Sequence, residues 1–147
     1  MKKILLYGSI SGIIASLVIG FYFKWIERNF HIKVYTLLLN IDYFPILKHI
    51  HFSEMIEFLF HIIVSIIIAT ILLFITHYFK WSRQQIGLRT ILISMFIGLI
   101  IYPTTILSER TPEITSLLAI SHWIIGHFLY GISLAVSFIL MKLHNKL

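Results

Sequence analysis

Glu54, Glu57 and His61 stand at positions i, i+3 and i+7 of an otherwise apolar stretch, EMIEFLFHIIVSIII. On a helix they form one stripe, with Glu57 and His61 as neighbours and His61 roughly 10 Å below Glu54. A carboxylate beside an imidazole can hold or relay a proton, and the two together can ligate a divalent metal such as Zn²⁺. A second source of imidazole is SHWIIGH, which carries His122 and His127. Five positions correspond to about 140° of rotation on a helix, so these two side chains do not share a face. Ionisable groups inside a lipid-embedded helix are costly and by default suggest a functional site. The competing reading is plain interhelical hydrogen bonding, at about 0.6 kcal/mol per bond. The expected metal or proton site is therefore Glu57, His61 and His127, with His122 as the alternative partner on its helix. Glu54 stands at the rim, where Ser53 as N-cap and the helix dipole also account for it.

The elements that must position these groups are membrane spans. Of 147 residues, 59% are hydrophobic and 12% charged, more apolar surface than a soluble domain of this size can bury. Four apolar segments, about 4–23, 56–79, 90–107 and 117–141, are each long enough to cross roughly 30 Å of hydrocarbon as helices. The first follows a short basic start but has no cleavage-site pattern after it, so it reads as a retained span. Residues 1–147 thus form a single all-α transmembrane domain, a four-helix bundle. Between 108 and 116, Thr111-Pro112 has the pattern of an N-cap followed by proline at the first helical position. That predicts a last helix beginning near Pro112. The connector 24–53 is too polar to span, being broken by Asp42 and Pro45. It is expected to be an interfacial or re-entrant segment on the outer face, either an amphipathic connector or a lid over the site.

Charge orients the bundle. With both termini inside, Lys2, Lys3, Lys80, Arg83, Arg89, Lys142 and Lys146 are cytoplasmic, against Lys24, Arg28, Lys33, Lys48 and Arg110 outside. All six acids, Glu27, Asp42, Glu54, Glu57, Glu109 and Glu113, then lie outside as well. His77 and His144 fall at the cytoplasmic boundary, and His31, His49 and His51 among outer headgroups.

Gly8, Gly12, Ser16 and Gly20 place a small residue at every fourth position of the first span. Such a ridge lets another backbone approach closely, within the bundle or in a homodimer. Gly98, Gly131 and Ala135 offer shorter notches on the third and fourth spans. The run His61-Ile62-Ile63 with Ser65, then Pro103, then Gly126-His127, together with Lys24-Trp25 and Glu27, resembles the YagU-like bacterial inner-membrane proteins. The resemblance covers about 85 residues of the second half and the first span loosely, and segment 28–53 departs from it. It implies a multi-pass bundle in a bacterial plasma membrane and singles out His61 and His127 among eight histidines.

Without cysteine, iron–sulfur, thiolate zinc and disulfide chemistry are excluded. No HExxH, Ser-His-acid set or phosphate-binding loop marks an enzyme, and nothing points to nucleic acid. The expected function is a small membrane protein with an outward-facing Glu/His cluster, linked to protons or a divalent metal. The alternative is a structural or assembly protein whose histidines are hydrogen-bond partners, with lipid, a homo-oligomer or a membrane-protein partner around it. A b-type haem held by His61 and His127 is a lesser reading.

Overall fold

In hydrocarbon every backbone N–H and C=O must be satisfied within the segment, and this chain answers with long helices. The computed structural model describes residues 1–41, residue 50 and residues 52–143. The helices are α1 (Lys2–Phe30), α2 (Val34–Leu39), α3 (Glu54–Tyr78), α4 (Arg83–Ile101) and α5 (Leu117–Leu143), with a 3-10 turn at Tyr102–Leu107. Four stretches are long and apolar enough to cross a membrane: Lys2–Phe30, Glu54–Tyr78, Arg83–Leu107 and Leu117–Lys142. Large apolar side chains such as Val18, Ile67, Leu92 and Ile125 are exposed on their outer faces, where acyl chains would meet them.

Cross-chain contacts fix the topology. A Cβ placed on Gly12 would sit 2.7 Å from the Ile66 Cα, and one on Gly8 would collide with Thr70 and one on Gly20 with Phe58. The small-residue ridge therefore packs antiparallel against α3, inside the chain. Phe23 of α1 stacks on Trp123 of α5 with ring centres 5.1 Å apart, and Lys142 near the far end of α5 donates to the Trp81 carbonyl. Gly131 of α5 lies against Ile91 and Ser94 of α4. The helices thus run up, down, up, down, packed in the order α3, α1, α5, α4. By contrast, α3 and α4 barely touch each other.

Four boundaries differ from the sequence expectations. α1 continues through Lys24 and Trp25 to Phe30, and at 29 residues and about 44 Å it outruns the hydrocarbon. It stops at His31, whose left-handed φ of 56° returns its N–H to the Glu27 carbonyl. α4 begins at Arg83, earlier than residue 90, because Ser82 and Gln85 form a reciprocal capping box. It gives way to the 3-10 turn at Tyr102, where Pro103 lacks the N–H an α-helix would need. The last helix does not begin near Pro112. The one proton of the Thr111 hydroxyl is shared between the carbonyls of Thr105 and Ser108, at 2.9 and 2.8 Å, which ties residue 111 back into the turn; no helix follows Pro112, and α5 starts at Leu117.

The described part of the connector folds onto the bundle. Val34, Leu37 and Leu39 of α2 are buried. The Glu27 carboxylate caps α2 by accepting from the Thr36 N–H and hydroxyl at 2.8 and 2.6 Å. Asp42, Pro45, Lys48, His49 and His51, on which the interfacial expectation also rested, lie outside the described residues, as do His144 and Lys146.

Candidate functional site

Two carboxylates three residues apart open α3 and meet different surroundings. Ser53 occupies the N-cap position, though its side chain makes no capping bond. Glu54 turns toward α1 and α2, accepting from Lys24 Nζ at 2.6 Å and Tyr35 Oη at 3.0 Å. Lys24 also sits 5.5 Å from the centre of the Tyr35 ring. Burial, and then the hydrogen bond to Glu54, push the Tyr35 hydroxyl pKa up. This knot ties α1, α2 and α3 together on an exposed edge.

Glu57 turns inward. Its side chain is 6% exposed, and both oxygens accept from Arg110, Oε1 from Nη1 at 3.1 Å and Oε2 from Nη2 at 3.3 Å. This forked geometry is the one in which a guanidinium best matches a carboxylate. The segment that presents Arg110 is braced locally. Its N–H donates to the Ser108 hydroxyl at 3.2 Å, Thr111 holds two carbonyls, and Tyr102 Oη donates to the Glu113 carbonyl at 3.3 Å.

One turn deeper lies His61, its ring against Phe58 at 6.0 Å between centres. Its Nε2 is shielded and has no hydrogen-bond partner. His127 approaches from α5. Its Nδ1 lies 3.0 Å from the Trp123 carbonyl, which can only accept, so Nδ1 carries a proton. In the neutral ring Nε2 is then an acceptor. Trp123 Nε1 in turn donates to the Gly98 carbonyl at 2.8 Å. Gly98 is required here, because a Cβ at that position would collide with the His127 ring.

Glu57, His61 and His127 all line one cavity of about 470 Å³. That volume lies within the ~300–1,000 Å³ range of small-molecule sites. α1 and α5 supply its floor through Ile19, Trp123 and Tyr130, and α3 and α4 its walls through Phe60, Val64, Ile97 and Ile101. Leu37, Leu38 and Leu39 of α2 close one end. Ile63, Val64 and Ile101 are exposed, so the cavity opens sideways through the gap between α3 and α4. At its depth, Ser65 Oγ donates to the Gly12 carbonyl at 2.7 Å. Because that proton is engaged, Tyr130 Oη donates to Ser65 Oγ at 3.0 Å, joining α1, α3 and α5.

The expected site residues are divided by this arrangement. Glu54 and His122 do not line the cavity. His122 Nδ1 meets Tyr22 Oη at 2.9 Å, and its ring stacks on Phe30, both on α1. Among the described residues, no three His, Asp or Glu side chains converge as a metal site would need. Sequence reasoning missed Arg110 as the partner of Glu57, 53 residues away, and it missed Trp123 and Tyr130 as lining groups. No helical spacing connects Glu57 with Arg110. Trp123 and Tyr130, four before and three after His127, did carry a signal, since those offsets share a helix face.

No known family's sequence profile, no curated protein and no solved structure matches this chain.

Proposed function

We propose that this protein binds a lipid-like molecule, admitting its apolar chain from the bilayer between α3 and α4. The single observation that carries the reading is the apolar cavity open toward lipid and bordered by Glu57, His61 and His127. Once the helices span a bilayer, acyl and isoprenoid chains are the material in contact with that mouth, and an apolar hollow favours such an occupant over water. A proton- or metal-linked role would use Glu57 as the partner of His61, but its carboxylate is engaged by Arg110. An assembly role would need a free small-residue ridge, and Gly8, Gly12 and Gly20 face α3.

Trp123 lines the cavity and is a built-in reporter. In a variant with Trp25→Phe and Trp81→Phe, phospholipids with brominated chains should quench Trp123 nearly as strongly as a tryptophan introduced at lipid-facing Phe96. Quenching at Phe96→Trp with none at Trp123 would mean that no chain enters.

The proposal includes a place and an orientation: a bacterial plasma membrane, with both termini cytoplasmic and the α2 end outside. It is supported by the excess of Lys and Arg at the other end. Cysteine at exposed Lys33 should react with an impermeant thiol reagent on intact cells, and cysteine at exposed Gln85 should not. The reverse pattern would turn the site toward the cytoplasm.

A further inference from the structure

The cavity wall combines a large apolar surface with a small, unusually specified polar patch. On the wall, His127 offers Nε2 as an acceptor, because its Nδ1–H is held by the Trp123 carbonyl at 3.0 Å. His61 lines the wall beside it, with its Nε2 shielded from the cavity and without a protein partner. The remaining polar groups are largely occupied. Tyr130 and Ser65 bond to each other and to Gly12, Ser94 Oγ donates to the Thr90 carbonyl, and Glu57 holds Arg110.

No lysine or arginine lines the cavity among the described residues. Among the described residues a phosphate or carboxylate headgroup would therefore find no cation on the wall and would face the Glu57 carboxylate. An ester, ketone or ether offers only acceptors and would leave His127 Nε2 unmatched. A hydroxyl can donate to His127 Nε2. A buried nitrogen left without a partner is costly, so His127 discriminates more by what it rejects than by what it attracts.

Resting on the lipid-binding reading above, we infer that the occupant is a neutral, hydroxyl-bearing lipid, a long-chain or isoprenoid alcohol or an acylglycerol, whose hydroxyl donates to His127 Nε2. Its chain lies along Ile97, Val64 and Ile101 toward the mouth. Electrically neutral ligands suit this wall, since the lining Glu57 carboxylate is already balanced by a guanidinium.

The test uses the single-tryptophan protein in phosphatidylcholine nanodiscs, with a dibrominated octadecanol and its methyl ether as probes. The ether keeps the chain and one acceptor and loses only the donor. The alcohol should quench Trp123 at about tenfold lower mole fraction than the ether, the ratio expected for one unmatched buried hydrogen-bonding group. His127→Leu should bring the two probes to equal potency, whereas His122→Leu, which lies off the cavity, should keep the ratio. Equal quenching by alcohol and ether in the unsubstituted histidine background would overturn the hydroxyl inference and leave chain binding standing. Absence of quenching by either probe, with Phe96→Trp still quenched, would overturn both. The comparison of alcohol with ether decides the matter even if a leucine variant fails to fold.

Discussion

One helix, α3, meets two neighbours in opposite ways. Against α1 it closes to backbone contact, with Gly12 under Ile66 and the Ser65 hydroxyl bonded to the Gly12 carbonyl. Against α4 it stands off, leaving a cavity of about 470 Å³ with large apolar side chains on both walls. Both faces of α3 are apolar, so hydrophobicity does not distinguish them. Within lipid there is little hydrophobic drive between helices, and close approach depends on small residues and well-placed hydrogen bonds. Glycine and serine on α1 permit the first seam. Phe60, Ile63 and Val64 facing Ile97 and Ile101 prop the second apart, and Glu57 with Arg110 bridges it at one end.

The contrast breaks most violently at Gly12. Gly12→Leu would drive a side chain into the backbone of Ile66, which cannot move without shifting the whole of α3. The expected loss is at the upper end of overpacking effects, ~3 kcal/mol or more, seen as a large drop in detergent thermal stability. Leu17→Ala, off this ridge, should do much less. A Gly12→Leu protein that melted like the parent would mean that the α1–α3 seam is not closed, and the comparison would collapse.

The bridge across the open side should show an asymmetry. Arg110→Ala leaves the Glu57 carboxylate buried and uncompensated, whereas Glu57→Gln leaves a guanidinium that is already 49% exposed and can turn to water. Breaking a fully buried pair costs about 3–5 kcal/mol, and the exposure of Arg110 halves this, to ~2 kcal/mol for Arg110→Ala. Glu57→Gln should cost ~1 kcal/mol or less. Melting curves of the two variants and of the double variant would settle the order. Equal losses would indicate that the pair is solvated on both sides and does not bridge the gap.

The spans were legible because helix length and apolar content are local properties of the chain. The ridge of Gly8, Gly12, Ser16 and Gly20 was legible for the same reason, although its partner helix was not. Rotational spacing correctly warned that His122 and His127 point apart, since one faces Tyr22 and the other the cavity. What decided which faced which was the packing of Phe23 on Trp123, a contact between residues 100 apart. Thr111-Pro112 misled because the capping pattern is local, and here the fold of the turn ties Thr111 back to the carbonyls of Thr105 and Ser108 with no helix following Pro112. Arg110 entered the sequence reading only as one of five outer cations, because nothing local ties it to Glu57.

The gentlest change tests the open side most sharply. Val64 is half exposed at the mouth of the cavity. Val64→Phe places a ring in space that the helices leave unfilled, so it should alter thermal stability by no more than ~0.5 kcal/mol, as surface substitutions usually do, or raise it slightly by filling the hollow. The same ring narrows the entrance between α3 and α4. Quenching of Trp123 by brominated chains should therefore fall several-fold while the fold is untouched, which separates access from stability. If Val64→Phe instead destabilised the protein as Gly12→Leu does, α3 and α4 would have to be tightly packed in the bilayer, and the gap would be a second closed seam. A variant that kept both full stability and full quenching would mean that chains reach Trp123 by another route, past α2 or over Ile101, and the lateral entrance would have to be redrawn there.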